Sequence, residues 1–519
     1  SLRLRERVLR LLPLPLGKSR GEGWSKRMSA TVKNTAGETG DTRAVWMLVA
    51  ATALMLAVHL LPTPAPLERN GELIALTPDG KTCLAILLFA VTLWVSEAMP
   101  FAATSLLVLV LIPAFGITDF ATAVNAGFGN PLIVFFIGVL FLSTGFTLSG
   151  LGTRMVLHVL RLAGPRTDRV LLGFLVVGAL LSMWITDMAV AAVLLPLGVG
   201  VLRDAQLKPL ESNFGRALMI SCAYGPLIGG IGTPAGTAAN LIALSYLEEL
   251  AGLSISFGQW MVVGVPASLL MIPVGWWLLL RIFPPEIDVL PFERHEIDAK
   301  LAALGPLTPV ERKTLAIFGL TITAWLITPW LADLTGGRVD PPVQAVALVG
   351  GLTLFLPTIR VMTWKEAQQN MDWGGVMLIV AGLSLGLMVF DTGAARWLAQ
   401  LLLGNLTLIP VLLRPFVIVL AVSLLHLLFS SNTVTGALIM PILLALAIDL
   451  GLDPWTIAAP AAFTSSLAFI LVTESPTNVL PYSAGYFSIR DMARVGIWMT
   501  LAAAACVTVS ITLVGLFTG

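Results

Sequence analysis

One carboxylate stands alone in an apolar run. Asp187, in LSMWITDMAVAAVLLP (residues 181–196), is the only charged side chain between Val170 and Leu202. A charge at the centre of a spanning helix costs ~2.5–3.5 kcal/mol on insertion scales, so such residues face a protein interior or a water-filled path. A second polar cluster, Ser431-Asn432-Thr433 in LLFSSNTVTGALIMPIL (427–443), stands in a similar setting; Pro196 and Pro441 each follow ten positions after Thr186 and Ser431. Downstream of each cluster lies a stretch rich in Gly, Pro, Ser or Thr with an asparagine near its end: GGIGTPAGTAANL (229–241) and TESPTNVL (473–480). Hydroxyls, amides and freed backbone N–H groups suit an anion, while unwound carbonyls and carboxylates suit a cation such as Na⁺.

The elements that must position these residues are broken helices. Unpaired backbone in hydrocarbon costs several kcal/mol per group and is tolerated only when buried in protein or lining a polar cavity. Upstream of each cluster lies an apolar segment ending in a glycine turn, FGNPLIVFFIGVLFLSTGFTLSGLG (128–152) and MDWGGVMLIVAGLSLGLMVFDTGAA (371–395), so each half reads as hairpin, broken helix, broken helix. Small residues are common between membrane helices as packing devices. Two pairs of breaks in register point instead to one shared binding site.

Composition agrees. Of 519 residues, 57% are hydrophobic and only 12% charged, with a mean hydropathy of +0.90, where a soluble domain carries roughly a quarter charged residues. The chain is expected to be an all-α polytopic membrane protein. Apolar runs that could cross a bilayer lie near 45–62, 82–115, 131–148, 170–202, 216–247, 257–283, 314–332, 341–358, 374–390, 410–450, 455–489 and 492–517. The expected divisions are a basic cytoplasmic tail (1–44), a first membrane repeat (45–283), a charged cytoplasmic connector (284–313) and a second repeat (314–519). The tail holds ten Lys or Arg against four acids, which places the N-terminus in the cytoplasm by the positive-inside rule. The three cysteines, Cys83, Cys222 and Cys506, are scattered through apolar segments and read as packing residues.

At these stretches the sequence resembles the divalent anion/sodium symporters, which carry dicarboxylates, citrate or sulfate. Ser431-Asn432-Thr433 matches that family's triplet in full, Gly229 to Asn240 matches its first Gly/Thr/Pro segment closely, and Ser475-Pro476-Thr477-Asn478 approximates the second. Residues 88–117 and 485–499 also look like family segments, so the likeness covers most of 80–519. It implies two inverted repeats, each with a re-entrant hairpin and broken helices. It further implies a scaffold and a mobile, elevator-type transport domain, a homodimer, and cation-coupled (Na⁺ or H⁺) carriage of a small di- or tricarboxylate by alternating access. Residues implied for substrate are Thr186, Asp187, Thr233, Gly236, Thr237, Asn240, Ser431, Asn432, Thr433, Ser475, Pro476, Thr477 and Asn478. Those implied for Na⁺ or a proton are Ser182, Thr186, Asp187, Gly232, Asn432 and Glu474. A multi-pass location in a bacterial inner membrane follows from the same resemblance.

Departures from the family pattern centre on the acids. The first triplet is Thr186-Asp187-Met188 where Ser-Asn-Thr is usual, so an amide donor has become an acceptor. Ser182 keeps the hydroxyl four positions before the first triplet, but Leu427 replaces it before the second, and Glu474 stands where a small residue is usual. Asp187 beside a dianion needs a neutralising Na⁺ or proton, and one cation or proton per acid is the expected coupling.

Other classes fare worse. Gly230-Ile-Gly232-Thr-Pro-Ala235 fits a loose dinucleotide pattern but lacks the preceding strand. His59, His158, His295 and His426 have no ligand spacing. His426, five positions before Ser431, reads either as a hydrogen-bonded packing residue or as a proton relay. No G-x-S-x-G or H-E-x-x-H appears, so an intramembrane enzyme is not expected. No nucleic-acid partner and no cofactor beyond Na⁺ are expected. The serious rival is a cation/proton antiporter with Asp187 and Glu474 as cation ligands.

Overall fold

The computed structural model describes residues 42–69, 72–291 and 294–518; most of the basic tail lies outside the described residues. Among those described, eight helices are long and apolar enough to cross a membrane.

An opening helix α1 (Thr42–Leu60) leads to a small antiparallel hairpin, β1 (Leu67–Arg69) and β2 (Glu72–Ile74), with Leu67 opposite Ile74. This hairpin is a small addition to the predominantly helical fold, and its three-residue strands leave no usable alternation in the sequence. The first repeat then runs α2 (Pro78–Ser96), α3 (Phe101–Ala114), α4 (Phe120–Phe128), α5 (Pro131–Ser149), α6 (Leu151–Ala163), α7 (Thr167–Ser182), α8 (Asp187–Asp204), α9 (Asn213–Gly230), α10 (Ala238–Ala251) and α11 (Phe257–Ile282). The run expected near 82–115 is thus two helices. Glu97 adopts a left-handed φ of 50° and Pro100 precedes α3, so the chain turns between them.

After α12 (Arg294–Leu304) the second repeat has the same succession: α13 (Pro309–Thr335), α14 (Val343–Thr353), α15 (Trp364–Asn370), α16 (Trp373–Asp391), α17 (Ala394–Leu403), α18 (Arg414–His426), α19 (Asn432–Asp449), α20 (Pro454–Thr464), α21 (Pro476–Tyr482) and α22 (Ile489–Thr518). A helix start lies within the stretch expected as the connector, 284–313. Thr308 and Glu311 form a reciprocal capping box that starts α13 at Pro309. Glu311 also pairs with the buried Arg154 of α6 at 2.7 Å, and Arg154 Nη1 donates to Gly305 O at 2.9 Å, so the connector is tied to the first hairpin.

Both hairpins turn on glycine in the left-handed region, Gly150 (φ 82°) between α5 and α6 and Gly393 (φ 77°) between α16 and α17. Packing is exchanged between the repeats. Helix α5 lies on α14 and α16 on α3; α10 lies on α19 and α21 on α8; α11 and α22 pack on each other. That crossing brings the two clusters of polar residues together.

Candidate functional site

Each break is held open by its own asparagine. In the first, Asn240 Nδ2 donates to Gly230 O and to Thr233 O, both at 2.8 Å, reaching back ten and seven residues. In the second, Asn478 Nδ2 donates to Ala468 O at 2.7 Å and Leu471 O at 3.1 Å, again ten and seven residues back. Both asparagines are fully buried. A carbonyl next to each pair is taken by an aromatic donor: Trp260 Nε1 to Ile231 O at 2.9 Å, and Tyr224 OH to Phe469 O at 2.7 Å. Each of these carbonyls left unpaired in a buried setting would cost ~1–3 kcal/mol. Asn240 and Asn478, expected at the substrate, therefore serve the backbone with their amide N–H groups. Thr233 does the same, donating its hydroxyl to Met183 O and accepting from Ala235 N at 3.2 Å.

The matching reach fixes a register in which Gly236 and Glu474 are equivalent, each four residues before its asparagine. A Cβ at Gly236 would sit 2.3 Å from Gly230 O and 2.7 Å from Ser182 O, so the first break admits no side chain there. The second admits a whole glutamate. Glu474, buried, folds its carboxylate onto Ile470 N (3.2 Å) and Leu471 N (2.8 Å). Gly232 lies in the first break against Met183. Ser182 Oγ is fully buried without a hydrogen-bond partner, and a Cβ on Gly230 would lie 3.6 Å from it. A buried orphan hydroxyl beside unwound carbonyls fits a cation bound through oxygen. Leu427 stands at the equivalent place before α19.

The clusters meet at the N-termini of α8 and α19. Asp187 opens α8, accepting from Met188 N through Oδ1 at 2.8 Å and from Asn432 Nδ2 through Oδ2 at 3.1 Å. Asn432 opens α19; its Oδ1 is buried with no partner. Ser431 is the N-cap of α19 yet makes no side-chain cap bond, and Thr186, the N-cap of α8, makes none either. Thr186 Oγ1 lies 3.4 Å from Ser143 Oγ. Thr186, Asp187 and Met188 on one side and Thr433 on the other are only half-buried, which leaves the junction reachable. Ser475, N-cap of α21, accepts from Thr477 N at 3.3 Å, with Pro476 in the first turn.

Thr237 Oγ1 shares a hydrogen bond with Ser466 Oγ at 2.7 Å, a link between the two breaks. Sequence reasoning missed Ser466, whose carbonyl also lies 3.5 Å from Asn432 Nδ2. The pair Ser465-Ser466 inside an apolar run was the available signal. The His426 ring is buried beside the second break, facing the Thr464 and Glu474 backbone, with neither nitrogen in a hydrogen bond of good geometry.

Comparison with known proteins gives a consistent picture. The family pattern described as the sodium:sulfate symporter transmembrane region matches residues 42–517. A sodium-dependent dicarboxylate transporter, SdcS, of Staphylococcus saprophyticus is 31% identical over 444 residues, covering 82% of this chain and 84% of that protein. SdcS of Staphylococcus aureus strain USA300 is 31% identical over 443 residues, with the same coverage. Among solved structures, the YdaH transporter of Alcanivorax borkumensis superposes with a TM-score of 0.53 at 15% identity, covering 92% of this chain and 98% of that one. MtrF of Neisseria gonorrhoeae gives 0.53 at 14%, covering 90% and 93%. These two are similar in fold.

Proposed function

Because the chain belongs to the sodium:sulfate symporter family, we propose that it couples Na⁺ to the transport of a small carboxylate-bearing anion bound where the two triplets meet. It is a multi-pass membrane transporter and not an enzyme. The observation that carries the reading is the contact between Asp187 and Asn432, first residues of α8 and α19, from opposite repeats. Two helix N-termini meet there, and the first-turn N–H groups of α19, which Ser431 leaves uncapped, are free. The relatives' dicarboxylates supply a size class for the substrate. Na⁺ is assigned to the first break, where Ser182 Oγ is unpaired and the loop at Gly232 is unwound. The antiporter alternative is less well supported, since both Glu474 oxygens are engaged by backbone N–H groups of their own loop.

The exchanged packing of the repeats supports alternating access by movement of hairpins and broken helices against α1, α2, α3, α13 and α14. A homodimer is proposed through α13 and α14, where Leu320, Trp330 and Val349 face outward; mass measurement in detergent that finds monomers alone at micromolar protein would exclude it.

Uptake into proteoliposomes under separately imposed Na⁺ and pH gradients tests the main reading. A Na⁺ gradient is expected to drive uptake, and Asn432→Ala to cut it at least tenfold while the protein stays folded. Undiminished transport by that variant would remove the junction from consideration.

A further inference from the structure

The two helix N-termini at the junction are not equally available. The α8 end already holds an anion of the protein's own, because the Asp187 carboxylate accepts the Met188 N–H of its first turn. A carboxylate has about four lone-pair sites. Met188 N and Asn432 Nδ2 fill two at Asp187, leaving acceptor capacity and negative charge there. Asn432 adds a second acceptor, since its Nδ2 faces Asp187 and its Oδ1 is buried without a donor. The α19 end is the reverse. Ser431 makes no cap bond, so its hydroxyl and the first N–H groups of α19 remain for an anion, with the Thr433 hydroxyl nearby.

We propose that the transported molecule carries a single anionic group, bound at Ser431 and Thr433, and presents a hydrogen-bond donor such as an amide or ammonium N–H at its other end, to Asp187 and Asn432 Oδ1. The inference rests on the transport reading of this junction and refines its substrate. A second carboxylate at the α8 end would face Asp187 and the Asn432 carbonyl oxygen, two acceptors against an acceptor, in a partly dry site where like charges are weakly screened. A site built to receive an N–H also discriminates strongly against an analogue lacking it, because the site's buried acceptors stay unpaired. Asp187 thus acts in recognition, where the sequence suggested coupling.

The test uses two probes of equal length, succinate and its half-amide succinamate, at a pH where both succinate carboxylates are ionised. Na⁺-driven uptake by the wild-type protein is expected to favour succinamate at least tenfold in kcat/KM. Asp187→Asn, which restores a donor, is expected to reverse the order without abolishing Na⁺ dependence; Asp187→Ser serves as a second neutral variant if the amide fails to fold. Wild-type preference for succinate, or an order unchanged in a folded neutral variant, would overturn the inference alone. Na⁺-driven uptake of neither probe by the wild type would overturn the reading of the site, and this inference with it.

Discussion

The two breaks share a backbone solution and differ in what it carries. Each is spanned by an asparagine reaching ten and seven residues back, and each has a neighbouring carbonyl capped by a buried aromatic donor. Yet the first has Gly236 and the orphan Ser182 hydroxyl where the second has Glu474 and Leu427. The shared part is a structural necessity, since an unwound segment in a membrane must satisfy its own polar groups. The part that differs is therefore where function is free to diverge.

Exchanging the differing residues breaks that comparison most sharply. Gly236→Glu forces a Cβ to within 2.3 Å of Gly230 O, a backbone atom that cannot swing aside, and adds a charge to a fully packed loop. Overpacking combined with an unpaired buried charge belongs to the mechanisms that exceed ~4 kcal/mol, so no monodisperse protein is expected. The converse, Glu474→Gly, frees two amides at ~1–3 kcal/mol each at most, and a folded protein with a lowered melting midpoint is expected. Thermal melts in detergent read both. If the two variants melt alike, the breaks are not the unequal pair described here.

Much of this was legible in the sequence because the constraint is local. A Gly/Pro/Thr stretch inside an apolar run has few physical meanings in a membrane, so the triplets, the hairpins and the equivalence of the repeats could be read from Thr186, Ser431, Gly150 and Gly393. Contacts across the repeats were not legible. Asn432 meets Asp187 245 positions away, and Thr237 meets Ser466 across 229; no periodicity encodes which face of α19 turns toward α8. For the same reason the backbone role of the Asn240 and Asn478 amides could not be read. Only the fold shows that their amide donors are already used by carbonyls within ten residues.

The smallest expected effect sharpens the comparison from the side of the cation. Leu427→Ser returns to the second break the hydroxyl that Ser182 gives the first. By itself it should do little. The committed carbonyls are alike in the two breaks, Gly230 O and Thr233 O matching Ala468 O and Leu471 O, so one hydroxyl is not the whole difference. Glu474 remains folded over the amides of Ile470 and Leu471 and fixes the loop in its present course. The Na⁺ dependence of uptake in Leu427→Ser should accordingly stay within about threefold of wild type, a change worth under about 0.7 kcal/mol, and keep its steepness. Combined with Glu474→Gly, the same substitution gives the second break both features of the first, a small residue and a hydroxyl. A steeper Na⁺ dependence in the double variant than in either single one would place the loss of a second cation in these two positions acting together. An unchanged slope in the double variant, with the protein folded and transporting, would mean that the asymmetry between the breaks does not set the number of cations carried.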